Sequence, residues 1–301
     1  MRSPAMLNKI IPLTLAAVSL CAADRYLEKL YPEWGQSFEI DEMIYQEKTN
    51  FWDLSIFKNK RFGTVVAMDG IIQCTEADEG IYHEMLAHVP LLAHGNPLSV
   101  LIIGGGDGGT LREVVKHETV QKVVLVEIDG SFIELSKKYL PHLSQGAFDD
   151  PRAKIVIQDA AVYVKEAEET FDVILCDSTD PVGPGRVLFT SEFYGDCKKL
   201  LNPKGIFVNQ NGVPFLQKEE LHLTLENRKP HFKYVEFYLA PVASYVGGFM
   251  AFGYATDFKY RLSKKALQER LEKVTGKMHY YTPAIHKAAF ELPQYVLDAI
   301  H

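Results

Sequence analysis

The 301-residue sequence predicts an α/β protein, a doubly wound parallel sheet preceded by a small antiparallel β domain. Three observations lead there. Residues 37 to 73 alternate apolar and polar side chains in short runs. From residue 82 the helical period alternates with continuous apolar runs, the pattern of βαβ units. Between the first such run and the next helix lies the segment Gly104-Gly105-Gly106-Asp107-Gly108-Gly109.

The elements follow in chain order. The run IIPLTLAAVSLCAA (10–23) is too short to cross a bilayer as a helix. It follows Arg2 and Lys9 and ends in small residues, the outline of a secretory signal. A start placed too far upstream (Met6 offers another) or an apolar extension are the alternatives. SFEIDEMIYQ, DLSIFKN and FGTVVAMDGIIQ read as strands, with turns at Asn59-Lys60 and Asp69-Gly70. HEMLAHVPLLAH fits a helix, LSVLIIG a buried strand and GTLREVVKHE a helix. KVVLVEID, AKIVIQD and FDVILCD are further strands, separated by the helices SFIELSKKYLPHL and AVYVKEAEE. GIFVNQ, KYVEFYL and FMAFGYA supply the last strands. The expected division is an extension at 1–24, a β domain at 25–80 and an α/β domain at 81–301, with the change of period at 74–82.

Composition limits the function. Hydrophobic residues make up 47% and charged residues 24%, so the chain is neither disordered nor of low complexity. The net charge of -7 argues against a nucleic-acid partner and suits a cationic small substrate. No stretch reaches transmembrane length, so no membrane partner is expected. Cys21, Cys74, Cys176 and Cys197 form no CxxC pair and no zinc spacing. They are expected as reduced thiols, Cys176 within a core strand.

The glycine segment satisfies G-x-G-x-x-G at Gly104, Gly106 and Gly109, after a strand and before a helix. Glycines allow a tight turn and close approach of the backbone to a ligand. Glu127 ends the next strand, 18 residues after Gly109, where an acid accepts from ribose hydroxyls. The pattern fits a dinucleotide or a sulfonium nucleoside. Asp107 favours the cation: a unit pair at ~4 Å and an effective dielectric of ~20 is worth roughly 4 kcal/mol, repulsive for a phosphate. Asp159 ends the third strand, at the ligand crevice of a doubly wound sheet, where it can meet an adenine amino group, cap the next helix, or both. FDVILCDSTDPVGPG then carries Asp177 and Asp180 past a strand end into a loop stiffened by Pro181 and Pro184. Two anions there suit a polycation; the local sequence lacks the further ligands a metal would need. Tyr82-His83 and Tyr245 read by themselves as core or surface aromatics, although such rings can also pack on the methylenes of an alkyl diamine, a role that only the resemblance described next brings forward.

YQEKT, MDGIIQ, YHEMLAHVPL, GGGDGG, VEID, DSTDPVGPG, LFTSEFY and YYTPAIHKAAF together resemble the spermidine synthases, the polyamine aminopropyltransferase family, in family order. The resemblance runs from about Arg25 to the C-terminus. It implies a Rossmann-like, methyltransferase-type domain behind a small β domain, in a homodimer or homotetramer. It implies transfer of an aminopropyl group from decarboxylated S-adenosylmethionine, a co-substrate, to putrescine, with no cofactor and no metal. By the same resemblance Glu127 binds the ribose, Asp159 and Ala160 the adenine side, and Asp107 the amine of the aminopropyl group. Asp177 is the proton acceptor, Asp180, Tyr82 and Tyr245 position the diamine, His83 and Pro184 line the pocket, and Gln73 and Gln210 join them. Two positions depart from the family: Trp52 stands where a glutamine usually contacts the donor, and Ala160 replaces a glycine. The family works without a signal, so a cytoplasmic location is expected, with export as the alternative. A methyltransferase and a non-catalytic polyamine binder are the competing readings; Asp107 weighs against the first and the Asp177/Asp180 pair against the second.

Overall fold

The structure is a computed structural model that describes residues 24–181, 183–260 and 262–300, and the backbone but not the side chain of Pro184. The apolar run 10–23 and Cys21 lie outside the described residues.

The N-terminal part is antiparallel throughout. β1 (Arg25–Leu27) pairs with β2 (Ser37–Glu39), and β3 (Glu42–Lys48), β4 (Asp53–Asn59), β5 (Gly63–Met68) and β6 (Ile71–Thr75) form a meander. The Asp69-Gly70 turn has φ of 51° and 87°, the left-handed pair that lets a two-residue hairpin follow the twist of its strands. The alternation has two destinations. Phe57, Val65, Ala67 and Ile72 pack on Phe38. Trp52, Leu54, Ile56, Val66 and Met68 pack instead on Phe132, Leu140 and Leu143 of the larger domain.

The larger sheet has the order β12-β13-β11-β10-β7-β8-β9. β7 (Ser99–Gly104), β8 (Lys122–Glu127), β9 (Ala153–Ile157), β10 (Phe171–Asp177) and β11 (Leu201–Gln210) are parallel. β12 (Tyr234–Pro241) and β13 (Phe249–Thr256) add an antiparallel edge. Val100 to Ile103 are buried on both faces because helices cover both: Val100 and Ile102 join the cluster under α1 (Glu79–His94) and α2 (Gly109–Val115), and Leu101 and Ile103 the one under α5 (Ala160–Glu166) and α6 (Ser191–Lys199). Each such side chain contributes about 1.5–3 kcal/mol by leaving water.

The segment expected as one helix over 131–143 is two. Pro141 lacks the N–H that would continue the ladder and disfavours helical backbone at Leu140, so α3 (Gly130–Tyr139) stops and α4 (Pro141–Ser144) begins. α1 starts at Glu79, so a division at 80/81 falls inside its first turn. The structure adds β1 and the later helices α7 (Lys218–Arg228), α8 (Lys264–Leu271), α9 (Pro283–Ala288) and α10 (Gln294–Ile300). Cys74, Cys176 and Cys197 are buried free thiols, Cys176 in β10 as expected. Among the described residues no helix is long and apolar enough to cross a membrane.

Two tethers bring distant segments to α1. Asp78 accepts from Ser244 N at 2.6 Å and from Thr75 Oγ1 at 2.6 Å, tying the β12–β13 loop to the end of β6. Glu84, buried in α1, accepts from three successive backbone N–H groups, those of His279, Tyr280 and Tyr281.

Candidate active site

The chain passes from β7 outward to β8 and β9, then returns to the other side of β7 with β10 and β11. The order therefore reverses between β7 and β10, and a ligand crevice is expected at their carboxyl ends. In that register Asp177 pairs with Gly104. Gly105 N donates to Asp177 O at 2.9 Å. Gly104, Gly105 and Gly108 have φ of 77°, 69° and 80°, which side-chain-bearing residues rarely adopt.

Two cavities open there. The first is lined by Gly104, Gly106, Asp107, Glu127, Asp159 and Ala160, with Asp177 and His83. The second is lined by Asp180, Gln210 and Gln217 and reaches Glu28. Trp52, Gln73, Tyr82 and Tyr245 belong to both and form their common wall. Trp52 reaches that wall because it sits on the face of the small sheet that packs on the larger domain.

Asp177 is held at both oxygens. Tyr82 Oη donates to Oδ1 at 2.8 Å and Thr110 Oγ1 to Oδ2 at 2.6 Å. Burial pushes its carboxyl above the ordinary range and the charge of Asp107 adds to that, while His83, Thr110 and Tyr82 oppose. Asp107 goes the other way. Burial would raise it, but the His83 imidazolium and the Gly109 N–H at 2.7 Å hold it below the usual value. His83 lies between two acids, with Nδ1 2.6 Å from Glu79 Oε2 and Nε2 3.4 Å from Asp107 Oδ2. Burial favours its neutral form, yet Asp107 and Glu79 prevail and keep it protonated well above its ordinary value.

His83, Asp107 and Asp177 could each place a ligand atom within 4.8 Å of the others, a metal-like cluster that the local sequence did not display. Glu79 faces His83 Nδ1, Tyr82 and Thr110 donate to the two Asp177 oxygens, and Asp107 faces His83 Nε2 and the Gly109 N–H, so every member of the cluster already has partners within the protein.

Glu127 is buried against Gly106 and accepts from Asp129 N at 2.9 Å. Burial pushes its carboxyl up to about 7. Asp159 is exposed and caps α5 by accepting from Ala161 N at 2.8 Å while lining the cavity, so both anticipated roles are compatible. Tyr245 Oη donates to Gln73 O at 2.7 Å. Gln210 donates to Thr179 O at 3.0 Å and accepts from Gly212 N at 2.9 Å. Burial raises Asp180, against Gln217 and Gln210. Glu220, near Asp180, is pushed up to about 8 by burial and by that neighbour's charge. The side chain of Pro184 lies outside the described residues.

Sequence reasoning missed Thr110, Glu79, Glu28, Gln217 and Glu220. Thr110 directly follows the glycine segment, where a hydroxyl entering a helix beside a ligand loop was a usable signal. Glu28 and Glu220 gave none, since their relevance comes only from tertiary proximity to Asp180.

Residues 79–264 match the model of the spermine/spermidine synthase domain, and residues 26–76 that of the spermidine synthase tetramerisation domain. The chain belongs to the spermine/spermidine synthase family. Polyamine aminopropyltransferases from Klebsiella pneumoniae and Shigella sonnei are 50% and 51% identical to it, each over 275 residues, 91% of this chain and 96% of theirs. A spermidine synthase solved in complex with the transition-state analogue AdoDATO superposes with a TM-score of 0.86 at 40% identity, covering 92% of this chain and 94% of that one. The Thermotoga maritima spermidine synthase gives 0.84 at 39%, covering 92% and 93%. The family member described here is therefore a transferase, with the expected Rossmann-like domain and small antiparallel β domain.

Proposed function

We propose that the protein transfers the aminopropyl group of decarboxylated S-adenosylmethionine to putrescine, giving spermidine and 5'-methylthioadenosine. The observation that carries this is the pair of cavities with one common wall, one ending in Glu127 and Asp159, the other in Asp180. The first suits a nucleoside: Glu127 accepts from the ribose, Asp159 and Ala160 meet the adenine, and Gly104 and Gly106 let the backbone close on the ligand. Asp107 holds the aminopropyl amine. The second suits a diamine, with Tyr82, Tyr245, Gln73 and Gln210 along its methylenes and Asp180 facing an ammonium. His83 lines the pocket, and Trp52 covers the donor where the two substrates meet.

The chemistry needs a free amine. Deprotonating a group with a pKa near 10.4 at pH 7 costs roughly 4–5 kcal/mol. Asp177 takes that proton, and its raised carboxyl narrows the mismatch with the amine. The new C–N bond forms as the C–S bond breaks, and the electron pair returns to sulfur, neutralising the sulfonium. The leaving group is already activated, so the step needs neither cofactor nor metal. Alignment of nitrogen and carbon across the common wall supplies much of the remaining acceleration. Asp107 repels the carboxylate of ordinary S-adenosylmethionine, which disfavours methyl transfer.

The assembly is read as a homo-oligomer, dimer or tetramer, built through residues 26–76, and the location as cytoplasmic, where both substrates are made. The deciding experiment is mass spectrometry of products from purified protein, decarboxylated S-adenosylmethionine and a panel of diamines. Spermidine and methylthioadenosine from putrescine support the reading. Methyl transfer from S-adenosylmethionine, or no product with any amine, overturns it.

Glu127 makes donor binding depend on pH. Its carboxyl lies near 7 in the free protein, and a ribose hydroxyl donating to it favours the ionised form. Donor binding should therefore release a proton. Affinity should be full above about pH 8 and fall by up to tenfold per unit below 7. Calorimetry in buffers of different ionisation enthalpy reads this directly; a donor affinity flat from pH 5.5 to 8 would take Glu127 off the ribose.

A further inference from the structure

Arg112 is buried in α2 and lines neither cavity. Its guanidinium uses four donations. Nη2 and Nη1 reach Glu79 Oε2 at 2.8 Å and Oε1 at 3.1 Å, a two-pronged grip on one carboxylate. Nε donates to Glu113 Oε1 at 2.7 Å, and Nη1 also to Leu143 O at 2.6 Å. From Glu79 the chain continues to His83 Nδ1 at 2.6 Å and from His83 Nε2 to Asp107 Oδ2 at 3.4 Å.

We propose that Arg112 is a positioning residue for the amine of the aminopropyl donor, acting through Glu79 and His83 on Asp107. An imidazolium has two N–H groups in fixed directions, so fixing the partner of one aims the other. Glu79 is that fixed partner, and it is fixed because the fork holds both its oxygens. With Nδ1–H committed to Glu79, Nε2–H points at Asp107 and sets the carboxylate that meets the incoming ammonium. The Leu143 carbonyl anchors the fork to α4, whose Leu143 side chain belongs to the same buried cluster as Trp52 and Phe132. Loss of the fork frees Glu79 to turn, lets the His83 ring follow, and leaves Asp107 oriented by the Gly109 N–H alone.

Two ligands separate positioning from general support. Decarboxylated S-adenosylmethionine carries the amine; methylthioadenosine shares the nucleoside and lacks it. Calorimetric Kd values for both are compared in the wild type, Arg112→Gln and Arg112→Lys. The glutamine variant should bind the amine-bearing ligand at least tenfold more weakly and methylthioadenosine within twofold of wild type. Lysine, a point charge without the fork, should fall between. Glu79→Gln should show the same split, and adding it to Arg112→Lys should weaken the donor little further. Equal weakening of both ligands, or of neither, overturns the inference. If Arg112→Gln does not fold, the lysine and Glu79 variants carry the comparison by themselves. The inference rests on the proposed reaction, but binding is read without turnover. A wild type that makes no product while the variants show the split refutes the reaction and keeps the positioning; a wild type that binds neither ligand refutes both.

Discussion

Asp177→Asn is expected to slow turnover by roughly two to four decades while leaving donor affinity within a few-fold of wild type. The amide is nearly isosteric and sits in the same grip. Thr110 and Tyr82 each donate to one carboxylate oxygen. An amide keeps one acceptor, and the hydroxyl facing its NH2 can turn and accept instead, so the fold has little to lose. What disappears is the proton acceptor. Burial and the Asp107 charge raise Asp177, so the wild-type rate should drop as pH falls through its pKa and the carboxyl stays protonated. The variant should lack that acidic limb. The check is single-turnover formation of methylthioadenosine across pH 5 to 9, beside calorimetric binding of the donor. Turnover within fivefold of wild type would remove Asp177 from proton transfer.

Gly104→Ala should be severely damaging for a change of a single methyl group. Gly104 has φ of 77°, and a Cβ there would stand 2.1 Å from the carbonyl oxygen of Asp177. That oxygen is backbone of the adjacent strand and already receives the Gly105 N–H, so no side chain can rotate away. The strands that meet at the crevice would have to part, and Asp177 would move with them. A left-handed backbone alone costs a residue with a side chain about 1–2 kcal/mol. With the clash the loss should reach at least ~3 kcal/mol, with no measurable turnover. Gly146→Ala is the control: φ there is 83°, yet nothing lies within 4 Å of the added carbon. It should lose only the conformational cost of about 1–2 kcal/mol and keep its activity. Denaturant unfolding of the two variants separates clash from conformation; a Gly104→Ala protein as stable and active as Gly146→Ala would show that the strands yield freely.

The parts that were legible in the sequence are those set by local pattern. LSVLIIG and FDVILCD read as strands because both faces of a central parallel strand are buried, and GGGDGG read as a ligand turn because side chains would obstruct it. Pro141 was in plain view, yet the apolar period runs across it and hid the break between α3 and α4. The site residues expected in the crevice do line its two cavities, apart from Pro184, whose side chain is not described. Their partners were not legible. Thr110 and Tyr82 lie 67 and 95 positions from Asp177, and no periodicity links them. The state of His83 was equally hidden, since it depends on Glu79 and Asp107 closing on opposite edges of one ring.

The grip of Glu84 on residues 279 to 281 makes the end of the chain a structural part of the catalytic half. Those residues lie beyond the segment 79–264 that carries the family domain, yet their N–H groups donate to an acid on the same helix as Tyr82 and His83. A chain cut between the two would keep every residue of both cavities. It would also remove all three N–H donors of Glu84, two positions from Tyr82, and each hydrogen bond to a charged group is worth roughly 1.5–3 kcal/mol. The helix beneath the substrates is therefore fastened by a segment 195 to 197 residues downstream of Glu84, so its anchorage depends on one of the longest-range sets of hydrogen bonds in the fold.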